Sequence, residues 1–198
     1  NYENDTMLLE YIRNKITHYG NNDEISDNIA KEIADIVCES CKDIKSYKGG
    51  NLLPGAFSYN YHVKYGKLTN ASPDGRKNGE PLHDGSGAVQ GYDINGPTAS
   101  LLSLSAYKPS RFLGGISFNV KLSKNLNSLT DVIISLIKGQ IAIGNPQMQI
   151  SIVDNEELRR AQKDPTKYKN LLVRIGGYSD FFVKLDRNLQ DEIISRSE

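Results

Sequence analysis

The segment of residues 171–183 contains the residues whose types and spacing point most clearly to chemistry. Its sequence is Leu-Leu-Val-Arg-Ile-Gly-Gly-Tyr-Ser-Asp-Phe-Phe-Val, in which Gly176 and Gly177 separate two runs of β-type residues. Two glycines at such a point mark a backbone that turns sharply or approaches another group closely. The apolar flanks, Leu171, Leu172, Val173, Phe181, Phe182 and Val183, predict that this glycine loop is buried.

A buried glycine loop needs partners for its polar groups. We expect Tyr178 and Ser179 to help satisfy the hydrogen bonds of the loop backbone. If it is buried, Arg174 requires a carboxylate or a carbonyl oxygen as its partner. Asp180 is expected either to pair with Arg174 or to face outward, because an unpaired carboxylate is costly to bury.

Two other groups of residues resemble functional motifs only in part. Cys38 and Cys41 have the spacing of half a metal or redox site, but no second Cys or His pair lies at ligand spacing. We therefore expect packed or surface thiols. The glycines of residues 73–81 suggest a phosphate-binding loop, but the segment lacks the Gly-Lys-Ser/Thr ending and a following helix, and we reject that interpretation.

The glycine loop closely resembles that of the glycyl radical enzymes, whose hallmark is Arg-Val-x-Gly-Tyr-Ser/Ala. Residues 185–196 are similar to the closing helix of that family, with Leu-Gln-Asp-Glu-Ile-Ile-x-Arg at Leu189–Arg196. Three upstream segments match the family in order: Ser72–Leu82, Gly96-Pro97-Thr98-Ala99, and Gln149–Asp154 with the helix that follows it. Almost the whole chain fits, and it resembles only the C-terminal part of the family.

The resemblance implies that Gly177, the glycine before Tyr178, carries a stable backbone radical, supported by Arg174, Gly176, Tyr178 and Ser179. A glycine radical is delocalised over the neighbouring amide groups, which requires a planar backbone and no Cβ. The implied fold is α/β, a C-terminal segment of a ten-stranded barrel with the glycine loop buried at its centre. We expect residues 1–170 to form the barrel segment with helices and a long loop, and residues 171–198 the glycine loop and closing helix.

The resemblance also implies partners and a cofactor requirement. In the family a separate activating enzyme, which uses S-adenosylmethionine and an iron–sulfur cluster, installs the radical as a modification, and no cofactor or metal is otherwise bound. The radical then abstracts hydrogen from a cysteine on an opposing loop. This chain has no Gly-Cys-Val/Ile-Glu segment, so we expect the cysteine to belong to an upstream part of a longer enzyme that forms a homodimer.

Composition excludes several classes of protein. The 198 residues suit one domain, and 38% hydrophobic residues support a core. The 24 basic and 24 acidic residues cancel, so neither nucleic acid nor an anionic membrane is expected as a general partner. No apolar run approaches the roughly 20 residues of a membrane span. Two cysteines form no disulfide framework, which indicates a reducing cytoplasm.

Hydrophobic periodicity predicts an alternation of helices and strands. Helical spacing covers residues 5–19, 24–45, 129–143, 155–163 and 188–195, and a helix or buried turn begins at residue 98. In the second helix, one face carries Ile25, Ile29, Ile33, Ile36 and Val37. Strands are predicted at residues 57–63, 116–120, 148–153 and 169–175. Residues 64–97 form a long loop rich in Gly, Pro, Asn and Asp.

Three functions are consistent with these residues. The leading hypothesis is the radical-storing portion of an anaerobic, oxygen-sensitive glycyl radical enzyme that cleaves a C–X or C–C bond of a small organic substrate. The motifs look more like those of dehydratase, lyase and decarboxylase members than like pyruvate formate-lyase, a formate C-acyltransferase. One alternative is a small spare-part protein that restores an oxygen-damaged enzyme, and the other is a non-catalytic α/β interaction domain.

Overall fold

The chain forms seven α-helices and two small sheets among the residues that the structure describes. The computed structural model describes residue 2 and residues 5–59, 61–89, 91–124, 126–175 and 178–195, without the side chains of Val153, Glu192 and Ser195. No helix within these ranges is both long enough and apolar enough to span a membrane.

The helices lie close to the positions that periodicity predicts. They are α1 (Thr6–Lys15), α2 (Glu24–Lys42), α3 (Tyr61–Gly66), α4 (Gly96–Ala106), α5 (Leu129–Ala142), α6 (Asn155–Lys163) and α7 (Arg187–Ser195). Four helices begin after an aspartate whose carboxylate accepts a hydrogen bond from a backbone N–H of the first turn: Asp5, Asp23, Asp154 and Asp186. Such caps satisfy one of the free amide groups at a helix start.

The two sheets each contain two strands. Strands β1 (Asn119–Ser123) and β2 (Gln149–Val153) are parallel, and α5 forms the crossover between them, as parallel pairing requires. Strands β3 (Leu172–Arg174) and β4 (Ser179–Phe181) form an antiparallel hairpin. The hairpin thus brackets the two glycines singled out in the sequence.

Two hydrophobic clusters hold these elements together. The first packs α2, α4 and α5 against the apolar side of β1, and its buried members are Ala34, Cys38, Leu101, Leu104, Phe112, Ile116, Phe118, Val120, Leu122 and Leu136. The second joins the hairpin to α3, α6 and α7 through Val63, Leu158, Ala161, Ile175, Phe182, Leu189, Ile193 and Ile194. The glycine hairpin therefore has its own hydrophobic anchor.

The predicted strand over residues 57–63 is wrong. Tyr59 has a left-handed backbone (φ 52°), which interrupts an extended run. The backbone N–H of Tyr61 then donates to the carbonyl oxygen of Ser58 at 2.9 Å, and α3 begins there. Tyr61 and Tyr65 stack four residues apart on this helix, with ring centroids 5.6 Å apart. The aromatic alternation belongs to a turn followed by a helix.

The buried face of α2 differs from the face that carries its large apolar residues. Ile25, Ile29, Ile33, Ile36 and Val37 are 40–66% exposed. The buried residues of this helix are small, apart from one aspartate: Asp27, Ala30, Ala34 and Cys38. Small side chains let α2 approach α4 closely, so within the described residues the packing contact is made by the alanine face.

Candidate functional site

The hairpin closes around the glycine pair. The backbone N–H of Ile175 donates to the carbonyl oxygen of Tyr178 at 2.8 Å, so the connection between the strands contains two residues, Gly176 and Gly177. Both glycines lie outside the described residues, and the role of Gly177 remains a prediction. Hairpin connections of this length favour glycine, because they require positive φ angles.

Burial beside the turn follows the alternation of a β-strand. Ile175 is 1% exposed and Phe182 is fully buried, and both belong to the second cluster. The backbone N–H of Phe182 donates to the carbonyl oxygen of Leu171 at 2.8 Å, which ties the two arms together. Leu172 is 59% exposed, contrary to the prediction of buried flanks, because its side chain points to the opposite face from that of Ile175.

The side-chain amide of Gln149 connects the hairpin to the parallel sheet. Its Nε2 donates to the carbonyl oxygen of Ile175 at 3.0 Å. Its Oε1 accepts a hydrogen bond from Nε of Arg174 at 3.2 Å. Gln149 is the first residue of β2, so the sheet contacts the last described residues before the glycine pair.

The predicted supporting residues surround the turn but are not deeply buried. Arg174 and Ser179 are exposed and face each other across the hairpin, while Tyr178 is 38% exposed and uses its carbonyl oxygen to close the turn. The partner of Arg174 is an amide oxygen, not the carboxylate of Asp180. The Asp180 carboxylate instead accepts from the backbone N–H of Phe181 at 2.7 Å.

The closing helix α7 is fastened at both ends. Asp186 accepts hydrogen bonds from the backbone N–H groups of Asn188 (2.8 Å) and Leu189 (3.3 Å). Partial burial opposes ionisation of Asp186, but these donors have the larger combined effect and lower its pKa. Lys121 of β1 donates from Nζ to the carbonyl oxygen of Ile193 at 2.5 Å, near the other end of the helix.

The buried Gln190 of α7 supports the segment that follows the hairpin. Its Nε2 donates to the carbonyl oxygens of Phe182 at 2.9 Å and Leu185 at 3.1 Å. These carbonyl groups belong to a short 3₁₀ turn and the residue after it. The side chain of Gln190 therefore fixes the exit of the hairpin from within α7.

A polar cluster of four residues lies at the start of β1 and contains Ser58, His62, Asp84 and Asn119. The Asp84 carboxylate accepts from Oγ of Ser58 at 2.5 Å and from Nδ2 of Asn119 at 2.8 Å. The buried His62 places Nδ1 3.2 Å from the same hydroxyl oxygen. Because the Ser58 hydroxyl gives its proton to Asp84, Nδ1 of His62 is the donor in that contact.

The polar cluster around Asp84 and the side-chain contacts of Gln149 lie at the same level of the parallel sheet. Asn119 and Gln149 are register partners in the parallel pair, as are Lys121 and Ser151. Register partners project from the same face, so one face of the sheet is polar while Val120 and Leu122 pack into the first cluster on the other. The contacts to Ile175 and Ile193 place the hairpin and α7 against this polar face.

The cysteines do not take part in this site. Cys38 is 5% exposed within the first cluster, and burial raises the pKa of its thiol. Cys41 is a half-buried free thiol. Among the described residues, no group of three or more His, Cys, Asp or Glu side chains could hold a metal ion. Near the glycine pair, the side chains with described hydrogen bonds are the amide of Gln149, the guanidinium of Arg174 and the carboxylate of Asp180.

Two family models match this chain. The model described as glycine radical matches residues 82–183, slightly more than half of the chain, and the model described as pyruvate formate lyase-like matches residues 1–66. The chain belongs to the glycyl radical enzyme family. The glycine-radical match includes the hairpin, the polar face of the sheet and helices α4 to α6.

The relatives of this glycyl radical enzyme chain include dehydratases and lyases. It is 37% identical over 191 residues to (2S)-3-sulfopropanediol dehydratase of Klebsiella oxytoca, covering 93% of this chain and 23% of the relative. It is 38% identical over 192 residues to an isethionate sulfite-lyase of Desulfovibrio desulfuricans, covering 91% and 22%. The chain thus spans about a quarter of the length of these relatives.

A solved structure confirms the predicted fold class. The glycerol-bound B12-independent glycerol dehydratase of Clostridium butyricum superposes with a TM-score of 0.91 at 35% identity, over 100% of this chain and 25% of that one. The glycyl radical enzyme chain therefore has the fold of a segment of the family's α/β barrel. Its coverage of a quarter of that structure is consistent with the predicted C-terminal segment.

Three residues of the site were not identified from sequence: Gln149, Lys121 and Gln190. Gln149 lies in a strand whose pattern is dominated by apolar residues, and Lys121 lies one residue beyond the predicted strand of residues 116–120. The signal was the alternation itself, since Asn119, Lys121 and Ser123 share one face. Gln190 lies in the predicted closing helix, and its burial depends on the hairpin exit packing against α7.

Proposed function

We propose that Gly177 is the radical-bearing residue of a glycyl radical dehydratase or lyase. The observation that carries the proposal is the backbone hydrogen bond from Ile175 to Tyr178, which encloses Gly176 and Gly177 in a hairpin connection anchored by buried residues. A backbone radical needs a residue without Cβ and a supported main chain. The chain supplies both at this point, and it supplies no acid–base or metal group on the connection itself.

The proposal assigns supporting roles to the neighbours of Gly177. Gly176 leaves the connection free of side chains, Arg174 joins the hairpin to Gln149, and Tyr178 closes the turn. Ser179 holds the register opposite Arg174. We divide the chain accordingly into a barrel segment of residues 1–170 and a glycine loop with its closing helix at residues 171–198.

One relative, of Clostridioides difficile, is a decarboxylase subunit, 32% identical over 184 residues. We infer a dehydratase or lyase reaction instead, because the dehydratase and lyase relatives at 37% and 38% identity are more similar to this chain. Their names specify sulfopropanediol, isethionate and, for the solved dehydratase, glycerol, which are small hydroxylated molecules. We infer a substrate of that class, which loses water or sulfite. The relatives support neither the spare-part protein nor the interaction domain.

Turnover requires groups beyond this chain. The radical at Gly177 would take a hydrogen atom from a cysteine thiol, and the resulting thiyl radical would attack the substrate. Cys38 is unsuited to this role, because it is buried in the first cluster on the apolar side of the sheet. We assign the cysteine to a part of the enzyme outside residues 1–198, radical installation to an S-adenosylmethionine-dependent activating enzyme, and the assembly to a cytoplasmic homodimer.

Electron paramagnetic resonance after anaerobic activation tests the proposal. The protein is incubated with its activating enzyme, S-adenosylmethionine and a reductant, together with the variants Gly177→Ala and Gly176→Ala. We expect a glycine-centred doublet from the wild type, its loss in Gly177→Ala and its retention in Gly176→Ala. A doublet that disappears only in Gly176→Ala moves the radical to the other glycine. No signal from folded wild-type protein contradicts radical storage.

A further inference from the structure

We propose that Gln149 is a positioning residue that seats the glycine hairpin on the polar face of the sheet. The inference rests on the proposed function, because it gives the hairpin its importance. Gln149 bonds both to the carbonyl oxygen of Ile175 and to the guanidinium of Arg174. Among the hydrogen bonds of the described residues, those of the Gln149 amide connect the parallel sheet to the two residues immediately before the glycine pair.

The contacts of Gln149 use both ends of its amide. A carbonyl oxygen can only accept a hydrogen bond and a guanidinium can only donate one, so the orientation of the amide is fixed by its partners. Glutamate at this position keeps the acceptor for Arg174 but places a negative oxygen against the Ile175 carbonyl. Methionine keeps the length of the side chain and removes both bonds. The two substitutions therefore separate the contributions of the two contacts.

The backbone of Gln149 is itself held in place by the parallel sheet. Its backbone N–H donates to the carbonyl oxygen of Phe118 at 2.9 Å, and Phe118 is 2% exposed in the first cluster. Its register partner Asn119 is itself bonded to Asp84. The side-chain amide of Gln149 therefore holds the hairpin in a fixed position relative to the first residues of β1 and β2.

The Ile175 carbonyl group is the place where Gln149 supports the main chain that leads into the glycine pair. It belongs to the peptide unit that leads directly into Gly176, while the Ile175 N–H holds Tyr178 on the far side of the connection. With both groups of Ile175 engaged, both ends of the two-glycine connection are held relative to the sheet. A radical delocalised over backbone amides is most persistent where the main chain is held planar and away from oxygen, so the seat should set how long the radical survives.

Hydrogen–deuterium exchange on the unactivated protein tests the seat independently of any radical. The full-length wild type is compared with Gln149→Met and with the control Gln162→Met, whose amide bonds to Asp191 outside the hairpin. Loss of two hydrogen bonds predicts roughly tenfold faster exchange of the Ile175 amide in Gln149→Met. We expect no change in Gln162→Met. Equal exchange in the wild type and Gln149→Met overturns the proposal.

The activated protein provides a second readout that a purely structural role would not change. Radical decay is followed by electron paramagnetic resonance during a controlled oxygen exposure. We expect several-fold faster decay in Gln149→Met and an intermediate rate in Gln149→Glu, with unchanged thermal unfolding of the first cluster. Equal decay in all three contradicts a positioning role. If the wild type forms no radical, the proposed function fails, and the exchange result still decides whether Gln149 seats the hairpin.

Discussion

Replacing Phe182 with alanine should release the glycine hairpin from its hydrophobic anchor. Phe182 is fully buried in the second cluster, where it joins the end of β4 to α6 and α7. Truncating a fully buried phenylalanine costs about 3–5 kcal/mol, which combines lost transfer free energy and the cavity left behind. If the free energy of local opening falls by this amount, the equilibrium constant for opening rises by a factor of about 150 to 5,000.

The neighbouring Phe181 offers a matched control. Its ring is half-buried and lies 4.6 Å from Nζ of Lys184, a cation–π contact with more solvent around it. Partial burial and such a contact predict a cost of about 1–2 kcal/mol for Phe181→Ala. The two variants remove the same side chain one position apart, on opposite sides of the strand end.

Native-state hydrogen exchange of the hairpin amides measures both effects. The amide of Phe182 itself reports on the bond to Leu171 that closes the hairpin arms. We expect Phe182→Ala to lose at least 1 kcal/mol more opening free energy at this amide than Phe181→Ala. Equal losses in the two variants would refute the conclusion that the second cluster anchors the hairpin through Phe182.

The remaining predictions concern the closing helix and the long loop. Asp186→Ala should lower the free energy of unfolding by about 1 kcal/mol, because it removes a helix cap. The pKa of Asp186 is lowered in the folded state, so the difference between wild type and variant should be full above the unfolded pKa of about 3.9 and should vanish as pH falls through the folded pKa. Urea titrations at several pH values measure this difference. Gly85→Ala should lower the unfolding free energy by more than about 3 kcal/mol, because φ is +59° and the added Cβ would meet a backbone oxygen at 2.6 Å. Gly79→Ala, with φ of +83° and open space around it, should cost only about 1–2 kcal/mol in the same urea titrations, and equal costs would argue against the close approach at Gly85. Arg76→Met should lower the free energy of unfolding by about 3 kcal/mol or more, because this side chain is 4% exposed and donates to several backbone carbonyl oxygens of the loop. The surface control Arg160→Met loses an exposed ion pair and should change the unfolding free energy by no more than about 1 kcal/mol, as measured by thermal or urea unfolding.

Much of the architecture could be predicted because local patterns and packing agree. Helices α5 and α6 have the apolar spacing that their sequences indicate, and β2 follows its apolar run. Strand β3 lies within the predicted strand of residues 169–175, and the two glycines predicted a sharp turn or a close approach of the backbone after it. Strand β4 was not predicted, because residues 176–183 were expected to form a loop. In the elements that were predicted, short-range preferences and the final contacts select the same conformation.

The failures have a common physical origin in contacts that distant residues make. The left-handed backbone at Tyr59 converts an aromatic alternation into a turn and a helix, and alternation alone carries no signal of that angle. The face of α2 that packs is decided by the close approach of α4, which small residues permit and large ones prevent. Gln149 gains its role from a hairpin more than twenty residues away, so its partners are visible only in three dimensions.

Mass spectrometry of the activated protein after exposure to air tests the central claim most directly. Oxygen adds to a backbone Cα radical, and breakdown of the resulting peroxyl radical oxidises that Cα to a carbonyl and breaks the N–Cα bond of the same residue. We predict a C-terminal fragment in which the oxidised two-carbon remnant of Gly177 blocks the amino group of Tyr178, and an N-terminal fragment that ends at Gly176 as an amide. Neither fragment should form from unactivated protein or from activated Gly177→Ala. A C-terminal fragment that retains an intact Gly177 behind a remnant of Gly176, or an intact chain in a sample whose radical signal has decayed in air, would contradict the assignment of the radical to Gly177.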